Sequence, residues 1–446
     1  MRRVIILILL LGLMQLIALA APFGGAERAI LVFGFLILAA YSAGELAENF
    51  HLPKIVGYMV AGAVFGPFAG RLIRPAEVTA LDPVGDLAIA LIAFLAGAEL
   101  EWSELKRRGA TLVKLTSTEL AVSFVAIAAV LLALRPYVPF LAGTNWTATI
   151  AFTIVFVSIA IVHSPAATMA LLTETRASGP VAKSTLGIVL LADVVVVLLF
   201  SGALALARAM VPSGARGVGS LGSTIWEIGG AFPVGLLIGL AVVLYLRLTQ
   251  ADLFLFAILA TFFGLEVARL LHVEPLLTLL VAGFVTQNSS RQGRGKILRE
   301  AMERSAVPVF VVFFALAGAK LDVSEVVRLW AIVLPIVLVR AAGLWFGCRL
   351  GGRWAGLAPS ETRYLWLGLV AQAGVAIGLV DVASTVYPAA GGDMRTILLA
   401  VIAVDQTVGP VLFRRALQTA GEVGGEGVGG IEMLESQVAG RTSQTG

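Results

Sequence analysis

Residues 50–67, FHLPKIVGYMVAGAVFGP, have a counterpart further along the chain in residues 271–288, LHVEPLLTLLVAGFVTQN. The two stretches share a histidine and an Ala-Gly pair at matching positions, 221 residues apart. A second pair, FLAGAELE at 94–101 and ALAGAKLD at 315–322, has the same offset. Small residues are common in packed membrane helices, but two matches at one offset, with acidic ends that also agree, indicate an internal repeat.

The repeat is predicted to be inverted, because its halves lie seven predicted membrane spans apart and an odd number reverses the direction of crossing. Inverted repeats are the hallmark of secondary transporters, whose substrate sites lie near the bilayer midplane between the repeats. Extending the pairing of spans matches the span around 161–172 with the span around 368–380, and it places Asp193 and Asp405 in similar positions.

The composition is that of a polytopic membrane protein. Of the 446 residues, 59% are hydrophobic and 13% are charged, and the mean hydropathy is +0.96, whereas soluble domains carry roughly a quarter charged residues. The net charge of +4 comes from basic residues scattered among short loops, so no nucleic-acid partner is expected. Cys348 is the only cysteine, and without a Cys/His cluster neither a metal centre nor a cofactor is expected.

Stretches of about 20 apolar residues predict an all-α membrane protein with thirteen core spans across residues 28–417. Residues 1–21 combine a basic start, an apolar run and a small-x-small motif, which fits either a signal peptide or a retained extra helix. The Gly- and Glu-rich residues 418–446 predict a disordered tail. Lys and Arg are enriched in alternate loops, which predicts a cytoplasmic C-terminus in a plasma membrane such as a bacterial inner membrane.

Asp193 is the one charge in LGIVLLADVVVVLLF, residues 186–200. A carboxylate at the centre of a membrane helix costs at least about 2.5–3.5 kcal/mol, so it is expected to have a function or a partner. A proton and a monovalent cation can each neutralise it, and competition between them for one carboxylate yields exchange. The structural alternative is an aspartate that neighbouring hydroxyls hold for packing.

Pro165 follows His163 and Ser164 inside an otherwise apolar span. Proline lacks an N–H donor and breaks the helix, which frees backbone carbonyls that neighbours or ions must satisfy. The paired span is polar and glycine-bearing at Gln372 and Gly374. Two discontinuous helices are therefore predicted to cross and to offer carbonyls and helix-end dipoles to a small ion; a kink that serves packing alone is the simpler alternative.

Five stretches, taken together in their order and spacing, resemble the monovalent cation:proton antiporter-2 family of sodium/proton and potassium/proton exchangers. They are LPKIVGYMVAGAVFGP, FLAGAELE, SPAATMALLTETRASGPVAKSTLGIVLLADV, FFALAGAKLD and DQTVGPVLFRRAL. The resemblance covers residues 28–417 and implies a six-helix core bundle with two crossed broken helices, a panel bundle that dimerises, and elevator-like alternating access. The partners it implies are Na⁺ or K⁺, H⁺, the lipid bilayer and a second copy of the chain.

The resemblance also assigns individual residues. It places the ion-binding aspartate of the family at Asp193, with Ser164 and His163 as neighbouring ion or proton ligands. The sequence departs from the family at Ala192, where a polar residue usually precedes the aspartate, and at His163, where threonine is usual. The basic residue of the family's panel-side core helix corresponds to Arg340.

Further ionisable side chains are expected inside the protein. Arg340 lies in an apolar span and is predicted to be a fixed positive charge paired with Glu119 or Asp405. Glu119 could instead pair with Lys114 near an interface, and Asp405 fits a packing role as well as an ion-path role. His163 could tune the pH response, because imidazole titrates near neutrality, or it could be a satisfied core histidine.

The function predicted from these features is secondary antiport of protons against Na⁺ or K⁺, without an enzymatic reaction. One titrating carboxylate favours electroneutral exchange. Two alternatives stay open. A potassium channel-like efflux pathway would need a selectivity filter, which channels usually assemble from the loops of a symmetric oligomer. A transport-dead membrane sensor is suggested by the apolar residue at Ala192.

Overall fold

The computed structural model describes Gly12 and residues 25–211, 221–248, 253–290, 294–304, 306–372 and 375–424. The signal peptide or extra helix predicted over 1–21 (Gly12 apart), most of the predicted tail and Gly374 lie outside these ranges. Within them every regular element is a helix, so the predicted all-α class is confirmed.

The described chain forms nineteen helices, several of which are short segments at breaks or turns. They are α1 (Gly25–Asn49), α2 (Lys54–Phe65), α3 (Pro75–Ala80), α4 (Asp82–Glu99), α5 (Trp102–Ala133), α6 (Trp146–Ala160), α7 (Pro165–Thr175), α8 (Pro180–Met210), α9 (Leu221–Leu248), α10 (Leu253–Leu270), α11 (Pro275–Ser289), α12 (Arg294–Arg304), α13 (Ala306–Ala319), α14 (Val323–Arg328), α15 (Trp330–Ala355), α16 (Pro359–Thr362), α17 (Leu365–Gly368), α18 (Val375–Val386) and α19 (Pro388–Thr419).

Local sequence fixes where several of these helices begin. The side chain of Asn145 accepts the N–H of Ala148 at 2.8 Å and caps α6. Helices α7, α8 and α11 begin at Pro165, Pro180 and Pro275, where the missing proline N–H leaves no donor unpaired. The breaks around the site are therefore encoded by short motifs within each span.

Seven helical segments in the described ranges are long and apolar enough to cross a membrane, counting the broken pair α6 and α7 as one, or eight if α12 and α13 also form one span. Helical spans are favoured because a helix satisfies its own backbone groups in a medium without water. The chain is thus a multi-pass membrane protein, and the count of thirteen spans stays a prediction.

Helices α2 and α13 cross through two glycines. A Cβ atom added at Gly62 would collide with the backbone carbonyl of Ala315, and one added at Gly318 would collide with the carbonyl of Met59. Only a residue without a Cβ lets two helix backbones approach this closely. The crossing therefore depends on the glycines of the repeated stretches.

Helices α4 and α11 cross in the same way, with Gly283 against the carbonyl of Phe94 and Gly97 against the carbonyl of Leu280. Each of these four residues lies 221 positions from its counterpart in the α2–α13 crossing. Exchanging the two repeats leaves this contact pattern unchanged, as an approximate two-fold axis requires. The internal repeat of the sequence is therefore present in the packing.

The turns before α2 and α11 match as well. His51 and His272 both have a positive φ, 59° and 53°, a conformation that few residues other than glycine adopt. In each turn the residue after the histidine donates its N–H, at 3.0 Å, to the carbonyl five positions earlier, which closes the preceding helix. The repeated histidines thus mark helix ends.

The helices assemble into two bundles. The panel bundle consists of α1, α2, α4, α10, α11 and α13, and the core bundle consists of α5, α6, α8, α15, α18 and α19; each bundle dominates one of the two large clusters of buried apolar side chains. A pocket lies where α8 of the core bundle faces α4 and α11 of the panel bundle.

Candidate ion-binding site

The first helix break lies in the core bundle between Ala160, the last residue of α6, and Pro165, the first of α7. Ser164 precedes the proline, and its hydroxyl accepts the N–H of Ala167 at 3.1 Å. Serine is a preferred cap at this position because it pairs one of the free N–H groups of the first helical turn. The predicted helix break is present, and Ser164 caps α7, the helix that follows the break.

The second break lies between Gly368, the last residue of α17, and Val375, the first of α18. Gln372 is buried in this break. Its side-chain nitrogen donates to the carbonyl of Ala160 at 2.5 Å and to that of Val162 at 3.1 Å. The two broken helices therefore meet, as predicted, and Gln372 joins them; Gly374 lies outside the described residues.

Arg340 on α15 lies against both breaks and is 1% exposed. The guanidinium donates to the carbonyls of Ala160 at 2.9 Å, Val162 at 2.9 Å and Val370 at 2.7 Å. The sequence predicted that these freed carbonyls would be available to a transported ion. In the structure a protein cation and an amide donor occupy them instead, so the crossing is a scaffold beside the ion site.

The charge of Arg340 is balanced by Asp405 on α19. The guanidinium lies 3.0 Å from a carboxylate oxygen of Asp405, and both side chains are buried. Of the two partners considered from the sequence, the structure selects Asp405. The pair ties α15 and α19 to the broken helices and supports a structural role for both charges.

Glu119 pairs with His163. A carboxylate oxygen of Glu119 lies 2.9 Å from His163 Nε2, and His163 Nδ1 lies 2.9 Å from the carbonyl oxygen of Leu369. Both ring nitrogens thus have oxygen atoms as neighbours, and Nδ1 also lies 3.4 Å from Nη2 of Arg340. Lys114, the other partner considered for Glu119, donates to the carbonyl of Trp354 at 3.4 Å.

Asp193 lies on α8 at the pocket between the two bundles, together with Ser164 and Pro165. The Oδ1 atom of Asp193 is buried and has no hydrogen-bond partner among the described residues. Such a buried acceptor is costly unless a donor or a cation pairs with it. His163 does not line this pocket, so the structure brings Asp193 and Ser164 together but not His163.

The walls of the pocket are almost entirely apolar. They come from α4 and α11 of the panel bundle and from α8 and the start of α7; the residues are Ile89, Ile92, Ala93, Ala96, Leu276, Leu277, Leu280, Leu190, Val194, Val197 and Ala166, with Ile228 of α9. Apolar walls lower the local dielectric constant, which strengthens the attraction between the carboxylate and a cation.

Glu274 is the pocket residue that sequence reasoning missed. It immediately precedes α11, and its carboxylate accepts the N–H of Leu277. The available signal was an acidic residue directly before Pro275 at a helix start, a typical N-terminal pattern. The residues that line the pocket include two carboxylates and no Lys, Arg or His, which favours a hard cation over an anion.

Comparisons with known proteins identify the family and the fold. The family model described as sodium/hydrogen exchanger, transmembrane, matches residues 31–419. A relative, the probable Na(+)/H(+) antiporter 3 of Methanocaldococcus jannaschii, is 21% identical over 319 residues, which are 71% of this chain and 78% of the relative.

Two solved structures of the sodium proton antiporter MjNhaP1 from Methanocaldococcus jannaschii share the fold. The structure at pH 8 has a TM-score of 0.66 at 16% identity, covering 88% of this chain and 97% of that one. The structure from electron microscopy has a TM-score of 0.72 at 17% identity, covering 90% and 99%. Because the family model covers most of its length, this chain belongs to the transmembrane sodium/hydrogen exchanger family.

Proposed function

We propose that the chain exchanges protons for Na⁺ or K⁺ across a membrane by alternating access, with Asp193 as the shared binding site. Membership of the family supports cation:proton antiport in general. The observation that carries the finer proposal is the buried Oδ1 of Asp193, which lies at a cation-favouring pocket and has no donor among the residues that the structure describes.

The chemistry follows from the cost of a bare carboxylate inside the membrane. A proton or a monovalent cation neutralises Asp193, and the neutral core bundle can then reorient, whereas the ionised side chain cannot cross cheaply. Ser164 lines the same pocket and is proposed to supply a hydroxyl oxygen to the bound cation. Proton and cation therefore compete for one site, and each is released on the side where the other is abundant.

The exchange is electroneutral in this proposal. Arg340 is engaged with Asp405 and four backbone carbonyls, and arginine keeps its proton at physiological pH. Asp193 is then the one carboxylate that moves a charge, so one proton leaves for each cation that binds. Net charge movement would couple the exchange to voltage by about 2.3 kcal/mol per 100 mV. An equilibrium that shifts with a clamped potential would show that a second charge travels.

The decisive experiment measures proton flux in proteoliposomes on addition of Na⁺, Li⁺ or K⁺. The Asp193→Asn variant should lose the flux while it folds normally, because an amide can neither bind the cation nor release a proton. The matched control is Asp381→Asn, which removes an exposed carboxylate paired with Arg395 at 3.0 Å and should transport normally. Wild-type-like turnover of Asp193→Asn would refute the proposal.

The same assay separates the alternatives. Saturable flux driven by an imposed pH gradient supports a carrier, and non-saturating flux supports a channel-like pathway. The absence of proton flux with every cation tested supports a transport-dead sensor. The proposal also includes a homodimer, which the family resemblance implies. It places the chain in the plasma membrane with a cytoplasmic C-terminus, which the distribution of Lys and Arg among the loops indicates.

A further inference from the structure

The pocket has a second carboxylate on the side opposite Asp193. Asp193 lies on α8 of the core bundle, and Glu274 lies at the start of α11 in the panel bundle. The negative charge of Glu274 acts on Asp193 across this space. A cation in the pocket is therefore attracted from both bundles at once.

The backbone fixes the position of Glu274. Its N–H donates to the carbonyl of Glu227 at 2.9 Å, which ties it to α9. Its carboxylate accepts the N–H of Leu277 in the first turn of α11, where the helix dipole stabilises a negative charge. These two contacts hold the carboxylate in place at the start of α11.

No basic side chain among the described residues neutralises Glu274. Arg269, at the end of the preceding helix, is paired with Asp86 at 2.5 Å and with Glu266 at 2.9 Å. His272 acts electrostatically on Glu227. The carboxylate of Glu274 therefore lies on the pocket without a basic partner among the described residues, and within the same residues Asp193 Oδ1 has no hydrogen-bond partner.

We propose that Glu274 is a cation-capturing residue, which holds Na⁺ or K⁺ at the pocket and raises the apparent affinity of Asp193 for the cation. This inference rests on the proposed function, since it assigns Glu274 to the same transport site. Glu274 stays with the panel bundle when the core bundle moves. It therefore captures the cation, but its own charge is not carried across the membrane. Charged groups in a low-dielectric cleft raise the local concentration of counter-ions by about 10- to 1000-fold.

Two variants separate the charge from the helix cap. Glu274→Gln keeps an oxygen acceptor for the Leu277 N–H and removes the charge, whereas Glu274→Asp keeps the charge and is itself a preferred cap. Glu227→Gln is the matched control, because Glu227 is a neighbouring carboxylate that does not line the pocket. All variants are assayed as full chains in proteoliposomes at alkaline pH, where protons compete least with Na⁺.

The expected result is a rise of about tenfold in the KM for Na⁺ in Glu274→Gln, at the lower end of the field effect, with the maximal rate within about twofold. Glu274→Asp and Glu227→Gln should stay close to wild type. The difference in the KM for Na⁺ between Glu274→Gln and wild type should become smaller when an impermeant salt raises the ionic strength, because salt screens the electrostatic field of Glu274. A second readout is the Na⁺ concentration that half-maximally raises the melting temperature, which should increase by the same factor.

An unchanged KM and an unchanged Na⁺ requirement for stabilisation in Glu274→Gln would overturn the inference while leaving exchange at Asp193 intact. Equal defects in the Gln and Asp variants would also overturn it, because they would indicate a structural cap. Absence of cation-dependent flux in the wild type would refute the proposed function instead, and the stabilisation measurement would then still decide whether Glu274 helps to hold a cation.

Discussion

Replacing Arg340 with methionine is the most severe test of the helix crossing. Without the guanidinium, the carbonyls of Ala160 and Val162 still receive the side-chain nitrogen of Gln372. The carbonyl of Val370 loses the one side-chain donor found for it in the described structure. The damage is therefore concentrated on that carbonyl and on the buried carboxylate that Arg340 balances.

The magnitude follows from these two losses. An unpaired buried acceptor costs about 1–3 kcal/mol, which applies to the Val370 carbonyl. A buried charge whose partner is removed costs about 3–5 kcal/mol, which applies to Asp405, 3.0 Å from the guanidinium and buried with it. Together they make about 4–8 kcal/mol, which is comparable to the whole stability of a typical domain.

A double-mutant cycle measures the charge part. We expect Arg340→Met to lower the unfolding temperature strongly in detergent, and Arg340→Met/Asp405→Leu to recover most of the loss, because an apolar pair of similar volume often replaces a buried ion pair without penalty. Arg395→Met is the control, since Arg395 pairs with the exposed Asp381 and such pairs contribute about 0–1 kcal/mol.

Two results would refute this reasoning. Arg340→Met could unfold within about 1 kcal/mol of wild type, which is less than one unpaired acceptor is expected to cost. Alternatively, the double variant could be no more stable than Arg340→Met, and the charge of Asp405 would then be irrelevant to the crossing.

The remaining predictions concern a histidine and a glycine. His163→Thr should move the pH midpoint of exchange without abolishing flux, since it removes the imidazole ring that lies 2.9 Å from the Glu119 carboxylate; an unchanged pH profile would make His163 a packing residue. Gly62→Ala should lower the melting temperature by the equivalent of about 1–3 kcal/mol, because its Cβ meets backbone, whereas Gly34→Ala has open space around it and should be neutral; equal effects would contradict the close crossing.

The sequence alone determined the membrane class, the repeat and the central carboxylate. An isolated Asp193 in an apolar run and an offset of 221 residues are visible without coordinates, because hydropathy and spacing are properties of one segment at a time. The break at Pro165 was equally predictable, since proline acts on its own helix. Ser164 followed from its place beside that proline.

Only the tertiary structure decided which side chains share a pocket. Glu274 and Asp193 lie on different bundles and face each other, and Arg340 selects Asp405 over Glu119. His163, although adjacent in sequence to Ser164, points toward Glu119 and away from the ion pocket. These outcomes depend on how helices rotate and tilt as they pack, and a sequence period fixes which residues share a helix face but not which neighbouring helix that face meets.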